Sequence, residues 1–403
     1  MPEVAELLGL KKGHAISWVD AMSQRLKDRE DIILYLVSSG NVNKVTTHEI
    51  NNIHYVIFPT NSYKINYWDD LLKEVKPDII HVYGTESLHN KFLFEMHIDY
   101  PVIISLQGIL TEYQRHYYAG LEFWDMIRFT TIRDLMRPVG FFSGRKDFRK
   151  RSINERSMLR NVKYVEGRST WDKVSALNIN PKLQYFYCPR VIRAPFFDYR
   201  WDATKMEPHT IFVHQGNYPI KGVHFVFEAL ARIKKYYPDV KLIISGNDFM
   251  APQIKLDRYL PSGYTKYLKY LINKLDIREN IEYTGYLSAK QLAERLSTVN
   301  VVVIPSAIEN APNSLAESTI VGTPTIASFV GGNMDMLTHK EEGYLYCYNE
   351  PNMLAYYIRK MFDDIEQDIV FSNRCVAKYR EKHNPGLLEN TLINIYKSII
   401  ISK

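Results

Sequence analysis

Two glutamates eight positions apart, Glu309 and Glu317, stand in the segment SAIENAPNSLAESTIVGTPTIAS at residues 306–328. The segment follows the apolar run VVVIP and closes on Gly-Thr-Pro before a second run, PTIAS, so the pair straddles a loop-to-helix junction. Asn313 or Ser314 is expected to cap that helix, whose free amides then form a ready phosphate site. Upstream, TIFVHQGNYPIKG at residues 210–222 places Gly216, Asn217 and Lys221 after another strand-like run. Gly216 allows close backbone approach, and Lys221 brings a point ammonium charge suited to phosphate. Taken singly, the acids read as solvated residues of a capped helix and Lys221 as a helix-start lysine.

The elements that must position these residues read as an open α/β sheet, twice over. In the first part, DIILYLVS (31–38), IHYVIFP (53–59), DIIHVYG (78–84) and VIISLQG (102–108) are strand-like, with helical stretches around Ile16 to Leu26, around Trp68 to Val75 and from Leu88. A Pro-containing stretch at residues 189–209 carries no sustained period and reads as a connection. Strands are then expected at 210–216, 241–246, 281–286, 301–305, 324–328 and 343–347, with a helix at 222–237. Ligands in such folds lie beyond the carboxyl ends of the strands, which directs attention to the loops after Gly216, Pro305 and Ser328. Four parts follow: an N-terminal Rossmann-like domain at 1–190, a linker at 191–209, a second such domain at 210–380, and a terminal helix at 381–403 crossing back to the first.

The chain has 403 residues, 46% of them apolar and 24% charged, which suits two soluble domains and excludes disordered and collagen-like classes. Its three cysteines, Cys188, Cys347 and Cys375, are far apart and suggest neither a zinc site nor a disulfide framework. A reducing cytosol fits. No run reaches about 18 apolar residues, and the start, MPEVAE, is acidic where a secretory signal is basic, so a cytoplasmic chain is expected. Between Arg128 and Arg168 lie twelve basic residues against four acidic ones, in a chain of net charge +6. This segment is interleaved with Phe123, Trp124, Phe129, Phe141, Phe142 and Phe148. Its Arg145, Lys146, Arg149, Lys150 and Arg151 are expected at an acceptor or anionic-membrane surface, the other reading being a solvated insertion. A nucleic-acid partner is not expected, since no recognition motif accompanies the charge.

The pattern at residues 305–324 resembles the family 4 glycosyltransferases, a retaining class with two Rossmann-like domains facing across a cleft, the GT-B fold. Pro305, Ser306, Glu309, Glu317, Gly322 and Pro324 fall on that family's Pro-Ser, Glu, seven residues, Glu and Gly-x-Pro. FVHQGNYPIKGVHF and GYLSAKQLAERLSTVNVVVIPS are similar to the stretches that lead into it, and KPDIIHVYG and PVIISLQG resemble its N-terminal strands more weakly. The resemblance implies that Lys221 neutralises the diphosphate of a nucleotide sugar and that Glu317 accepts from the ribose hydroxyls. It also implies that Glu309 orients the donor sugar, with the amides of Ala311, Pro312, Asn313, Ser314 and Leu315 near phosphate or sugar; Pro312 itself has none to give.

Two positions depart from the family. Asn217 stands where a second cation is common, and Arg193 is the candidate to replace it. Gln107 stands where a histidine precedes glycine, and His81, on the preceding strand, is the candidate to compensate. The expectation is a retaining, metal-independent transferase that uses a UDP-sugar as co-substrate, needs no cofactor, and acts on a glycan or lipid-linked acceptor at the inner face of the plasma membrane. A nucleotide-sugar epimerase on the same fold and a non-catalytic nucleotide-sugar-binding protein remain open. A doubly wound sheet normally opens on an apolar strand, yet MPEVAELLGLKKGHAIS contains none, so the first strand of the N-terminal domain is expected to be absent from this chain.

Overall fold

The computed structural model describes residues 17–60, 66–86, 90, 93–96, 98–136, 140–246, 248, 251 and 261–402. The expectation about the first strand falls on residues 1–16 and lies outside them, as does the start of the helix expected from Leu88.

The first half holds two sheets. In one, β1 (Leu34–Gly40) pairs parallel with β3 (Ile53–Pro59), and β2 (Thr46–Ile50) pairs antiparallel with β3 through a tight turn. Asn51 and Asn52 form that turn with φ of 51° and 60°, the left-handed conformation that a two-residue hairpin needs and asparagine tolerates. The other sheet is parallel, in the order β4 (Ile80–Tyr83), β5 (Val102–Ser105), β6 (Tyr164–Gly167) and β7 (Gln184–Tyr187). Strands β2, β6 and β7 were not anticipated; the last two, YVEG and QYFY, hold a single β-branched residue between them.

The second half is one parallel sheet of six strands, ordered β10 (Ile281–Tyr283), β9 (Lys241–Ile244), β8 (Glu207–Val213), β11 (Val299–Ile304), β12 (Thr325–Ser328) and β13 (Tyr344–Tyr346). The strand order reverses between β8 and β11, which makes their carboxyl ends the crevice where such folds bind ligands. All six residues of β11, VNVVVI, are buried, as expected for a central strand covered on both faces. Along β8, Ile211 and Val213 face one apolar cluster while Phe212 faces another, the alternation that pleating imposes.

The stretch expected to connect the halves packs onto the second one. A short helix, Pro195–Asp198, buries Phe196, and the Trp201 amide donates to the Val321 carbonyl. The terminal helix Pro385–Ile401 packs Leu388, Leu392 and Ile399 with Met22, Leu26, Ile103 and Tyr164 of the first half.

An arm of the first half crosses in the opposite direction. Helices Phe123–Phe129 and Ile132–Met136 lead into the 21-residue helix Phe141–Asn161. Phe129 and Phe141, expected among surface aromatics, are instead buried in the apolar cluster of the second half, with Phe129 against Tyr267. Asp134 Oδ2 accepts from the Gly263 amide at 2.8 Å, and Ala119 O lies 3.1 Å from His224 Nε2, so the arm is fastened by polar as well as apolar contacts.

Candidate active site

At the switch point, β8 ends in the turn at His214 to Gly216, and a short 3-10 turn, Pro219–Lys221, brings Lys221 across to the loop that follows β11. The two loops lock together. Ala307 donates to the Ile220 carbonyl at 2.8 Å, and Gly222, at φ +68°, leaves a Cβ position only 2.0 Å from Pro305 O, where no side chain fits. Lys221 Nζ therefore reaches Glu309 Oε1 at 2.5 Å, and Ser306 Oγ donates to the same oxygen at 2.7 Å. Burial works against the Lys221 ammonium, but Glu309 and Tyr218 more than offset it and hold its pKa above that of an ordinary lysine.

Glu317 lies on the helix Asn313–Val321 and is 4% exposed. Burial pushes its carboxyl up from the usual range, opposed by Arg193, whose Nη2 donates to Oε1 at 2.6 Å. Arg193 also lies over the ring of Phe196, which is fully buried. His214 feels both cations and is held neutral, its pKa lowered to about 3 by burial and by Arg193 and Lys221. The site thus carries two cation–carboxylate pairs, Lys221–Glu309 and Arg193–Glu317, around one neutral imidazole.

The helix N-terminus differs from expectation. Pro312, rather than Asn313 or Ser314, is the N-cap, and no side chain caps the helix, so Asn313 and Ser314 enter as its first two residues. A proline there has no amide to satisfy and presets the backbone, leaving the following amides open to an anion. Ala311 and Pro312 form the approach and Leu315 is buried in the core. Gly216 is buried against Val223, while Asn217 is exposed and brings no charge.

From the first half, the loop after β5 meets this cluster through Arg168, which stands after β6. Its Nη2 donates to Gln107 O at 2.8 Å and its Nη1 to Ala311 O at 2.9 Å. Asn310 is the other contact point: its side-chain amide donates to Gln107 O, and its backbone amide donates to the Tyr113 hydroxyl at 3.1 Å. Gln107 is thus at the seam by its backbone, while its side chain lies against Gly84. Arg168 and Tyr113 were missed; Arg168 had been counted only as part of the basic run.

His81 is not brought to this cluster. Its Nδ1 lies 2.6 Å from the Tyr396 hydroxyl and its Nε2 2.6 Å from Ser105 Oγ, with Glu166 behind, so both ring nitrogens serve the packing of the first half against the terminal helix. Of the five basic residues singled out on Phe141–Asn161, Arg145, Lys146, Arg149 and Lys150 are exposed. Arg151 is half-buried, donating to Glu86 O and paired with Asp147.

With this geometry established, residues 197–375 match the family described as glycosyl transferases group 1. That stretch, less than half of the chain, is similar to a group 1 glycosyltransferase domain. An uncharacterized glycosyltransferase of Methanocaldococcus jannaschii is 25% identical over 191 residues, 47% of this chain and 45% of that protein. The matched stretches span less than half the length of the curated relatives. The structure of a sucrose-phosphate synthase from Thermosynechococcus elongatus superimposes with a TM-score of 0.72 at 15% identity, covering 96% of this chain and 92% of that one. The Anabaena protein Alr3699/HepE, solved with UDP-glucose, gives 0.69 at 14% identity over 96% and 97%. The fold of this chain is therefore GT-B, and the stretch matched to the group 1 family contains both glutamates, Lys221 and the uncapped helix, with Arg193 just ahead of it.

Proposed function

We propose that the protein is a retaining glycosyltransferase that moves a sugar from a nucleoside diphosphate donor to a hydroxyl acceptor without a metal ion. The observation that carries this reading is the paired Lys221–Glu309 and Arg193–Glu317 arrangement beside an uncapped helix N-terminus at the switch point. A donor fits it by exchange of partners. The diphosphate takes the two cations and the amides of Asn313 and Ser314, while ribose and sugar hydroxyls take Glu317 and Glu309. Neither buried carboxylate is then left without a donor, a condition for binding to be affordable at such a site.

The group 1 domain holds the donor, and the first half presents the acceptor through Gln107, Arg168 and Tyr113. As the glycosidic bond breaks, negative charge grows on the leaving diphosphate, and Lys221, Arg193 and the helix amides are placed to stabilise it. In the retaining reaction the acceptor attacks from the face the diphosphate leaves, and a diphosphate oxygen takes its proton. UDP is the proposed base and leaving group, supported by the UDP and UDP-glucose complexes of Alr3699/HepE.

The acceptor is proposed to be a glycan or lipid-linked molecule met at the cytoplasmic face of an anionic membrane. Large apolar side chains support this on the arm: Trp124 is 76% exposed, Leu135 72% and Met136 78%, beside the exposed Arg145, Lys146, Arg149 and Lys150. Among the described residues no helix is long and apolar enough to cross a membrane, so contact would be at the surface. The test is UDP release from a panel of UDP-sugars with and without lipid-linked acceptors, followed by anomeric analysis of the product. Acceptor-dependent release with an unchanged anomeric configuration is expected. Sugar interconversion without acceptor would mark an epimerase, and tight UDP-sugar binding without turnover a non-catalytic protein. Flotation with anionic vesicles, weakened from low to physiological salt, checks the surface.

A further inference from the structure

A small cavity of about 20 Å³ lies where the chain twice crosses between its halves. Arg168, Arg190, Lys382 and His383 line it, with Ala311 and Asn313 from the start of the Glu317 helix. Arg190 belongs to the outgoing connection and Lys382 and His383 to the returning one. Among the described residues no carboxylate lines the cavity. The acids that relieve these cations act from elsewhere: Glu166 and Glu86 on Arg190, Asp172 and Glu166 on Arg168, and Asp335 and Glu342 on Lys382. Burial lowers the pKa of all three cations and of His383.

Two buried nitrogens here have no hydrogen-bond partner, Arg168 Nε and His383 Nε2, in side chains 7% and 4% exposed. Lys382 Nζ has only a long contact, 3.4 Å, to Asp335 O, and lies about the rings of Tyr187 and Tyr379. The space suits one water-sized particle. Three cationic side chains converge on a lining whose described residues include no carboxylate, which favours a negative particle over water.

We propose that this cavity is a binding site for one small monovalent anion, chloride in size, held by Arg168, Arg190 and Lys382. Bound there, the anion ties both connections and the start of the Glu317 helix together, and so stiffens the seam between the halves. His383 adds a pH dependence. Its Nδ1 lies 3.0 Å from Arg190 O and donates to it, so the neutral ring turns a lone pair outward at Nε2. An anion nearby draws a proton onto that nitrogen, and affinity should rise as pH falls.

Crystals soaked in sodium bromide are expected to show an anomalous peak in this cavity. In solution, replacing gluconate by chloride at fixed ionic strength should raise the melting temperature saturably, by about 2–4 °C, and more at pH 5 than at pH 8. Lys382→Met keeps the apolar stem and should remove the chloride increment, while Lys382→Arg should retain it. No donor or acceptor enters this test, so its failure leaves the transferase reading untouched. A cavity without bromide, equal melting in chloride and gluconate, or an undiminished increment in Lys382→Met would overturn the proposal. A response to phosphate alone would overturn its size assignment.

Discussion

Replacing Arg193 by Gln separates two jobs that the structure gives one side chain. In the free protein it neutralises Glu317, whose side chain is 6% exposed, across a 2.6 Å contact; with donor bound it is proposed to turn to the diphosphate in place of the cation missing at Asn217. Breaking a fully buried pair costs about 3–5 kcal/mol. Arg193 is 31% exposed, so water partly replaces it at Glu317 and the stability loss should be smaller, about 1–2 kcal/mol. Loss of one charge-assisted hydrogen bond to the diphosphate costs roughly 1.5–3 kcal/mol, or about one to two decades in the dissociation constant. The assay is calorimetric titration with UDP beside urea unfolding. Adding Glu317→Gln to Arg193→Gln removes the orphaned charge and should restore stability while UDP affinity stays low. UDP binding in Arg193→Gln as tight as in the parent chain would refute the second-cation role and leave Arg193 a structural partner only.

Lys221→Ala should weaken UDP binding by a similar one to two decades, about 1.5–3 kcal/mol, and lower turnover; unchanged affinity for UDP in titration would count against the site. Stability should fall in acid: His214, His224 and His383 have pKa values lowered to about 3, about 4 and about 4 by burial, so between pH 6.5 and 4 the unfolded chain takes up protons that the native chain does not. Each should cost about 2 kcal/mol by pH 5, visible as a falling urea midpoint, and His214→Gln should make that slope shallower. Asp368 acts with the opposite sign: burial, aided by Asp364, raises it to about 9, and its Oδ2 has no partner. The native chain therefore keeps a proton the unfolded chain releases above about pH 4, and stability drains as pH rises; Asp368→Asn should raise the melting temperature more at pH 8 than at pH 5.

The strands legible in the sequence were those set in longer apolar runs, whereas β6, YVEG, was missed although all four of its residues are buried. β11 and β12 are buried along their whole length and largely apolar, their polar members Asn300, Thr325 and Ser328 being buried too. β7, QYFY, is exposed at both ends and half-buried in the middle at the edge of its sheet, and four residues of that kind resemble a loop. The arm failed for a different reason. Phe129 and Phe141 lie in a basic, aromatic stretch that satisfies a membrane pattern, yet their burial comes from the distant Tyr267 and Tyr264. Composition records that these side chains are apolar and leaves open which apolar surface they meet.

The same distinction runs through the site. Spacing along one segment placed Glu309 and Glu317 at a loop-to-helix junction, because eight residues from loop to helix is a local geometry. The identity of their partners is not local: Lys221 is 88 residues from Glu309, and Arg193 is 124 residues from Glu317. Those pairings become fixed only when β8 and β11 lie side by side and Arg193 is anchored by the burial of Phe196 in the connection. Arg168 is the sharper case. Counted by charge it belongs to a solvated run, but it follows β6, whose parallel pairing with β5 brings it beside Gln107, and closure of the two halves brings it to Ala311. A cation so placed joins the loop after β5 to the approach of the Glu317 helix, a pairing that no local pattern in either segment records, because it needs both the β5–β6 register and the meeting of the two halves.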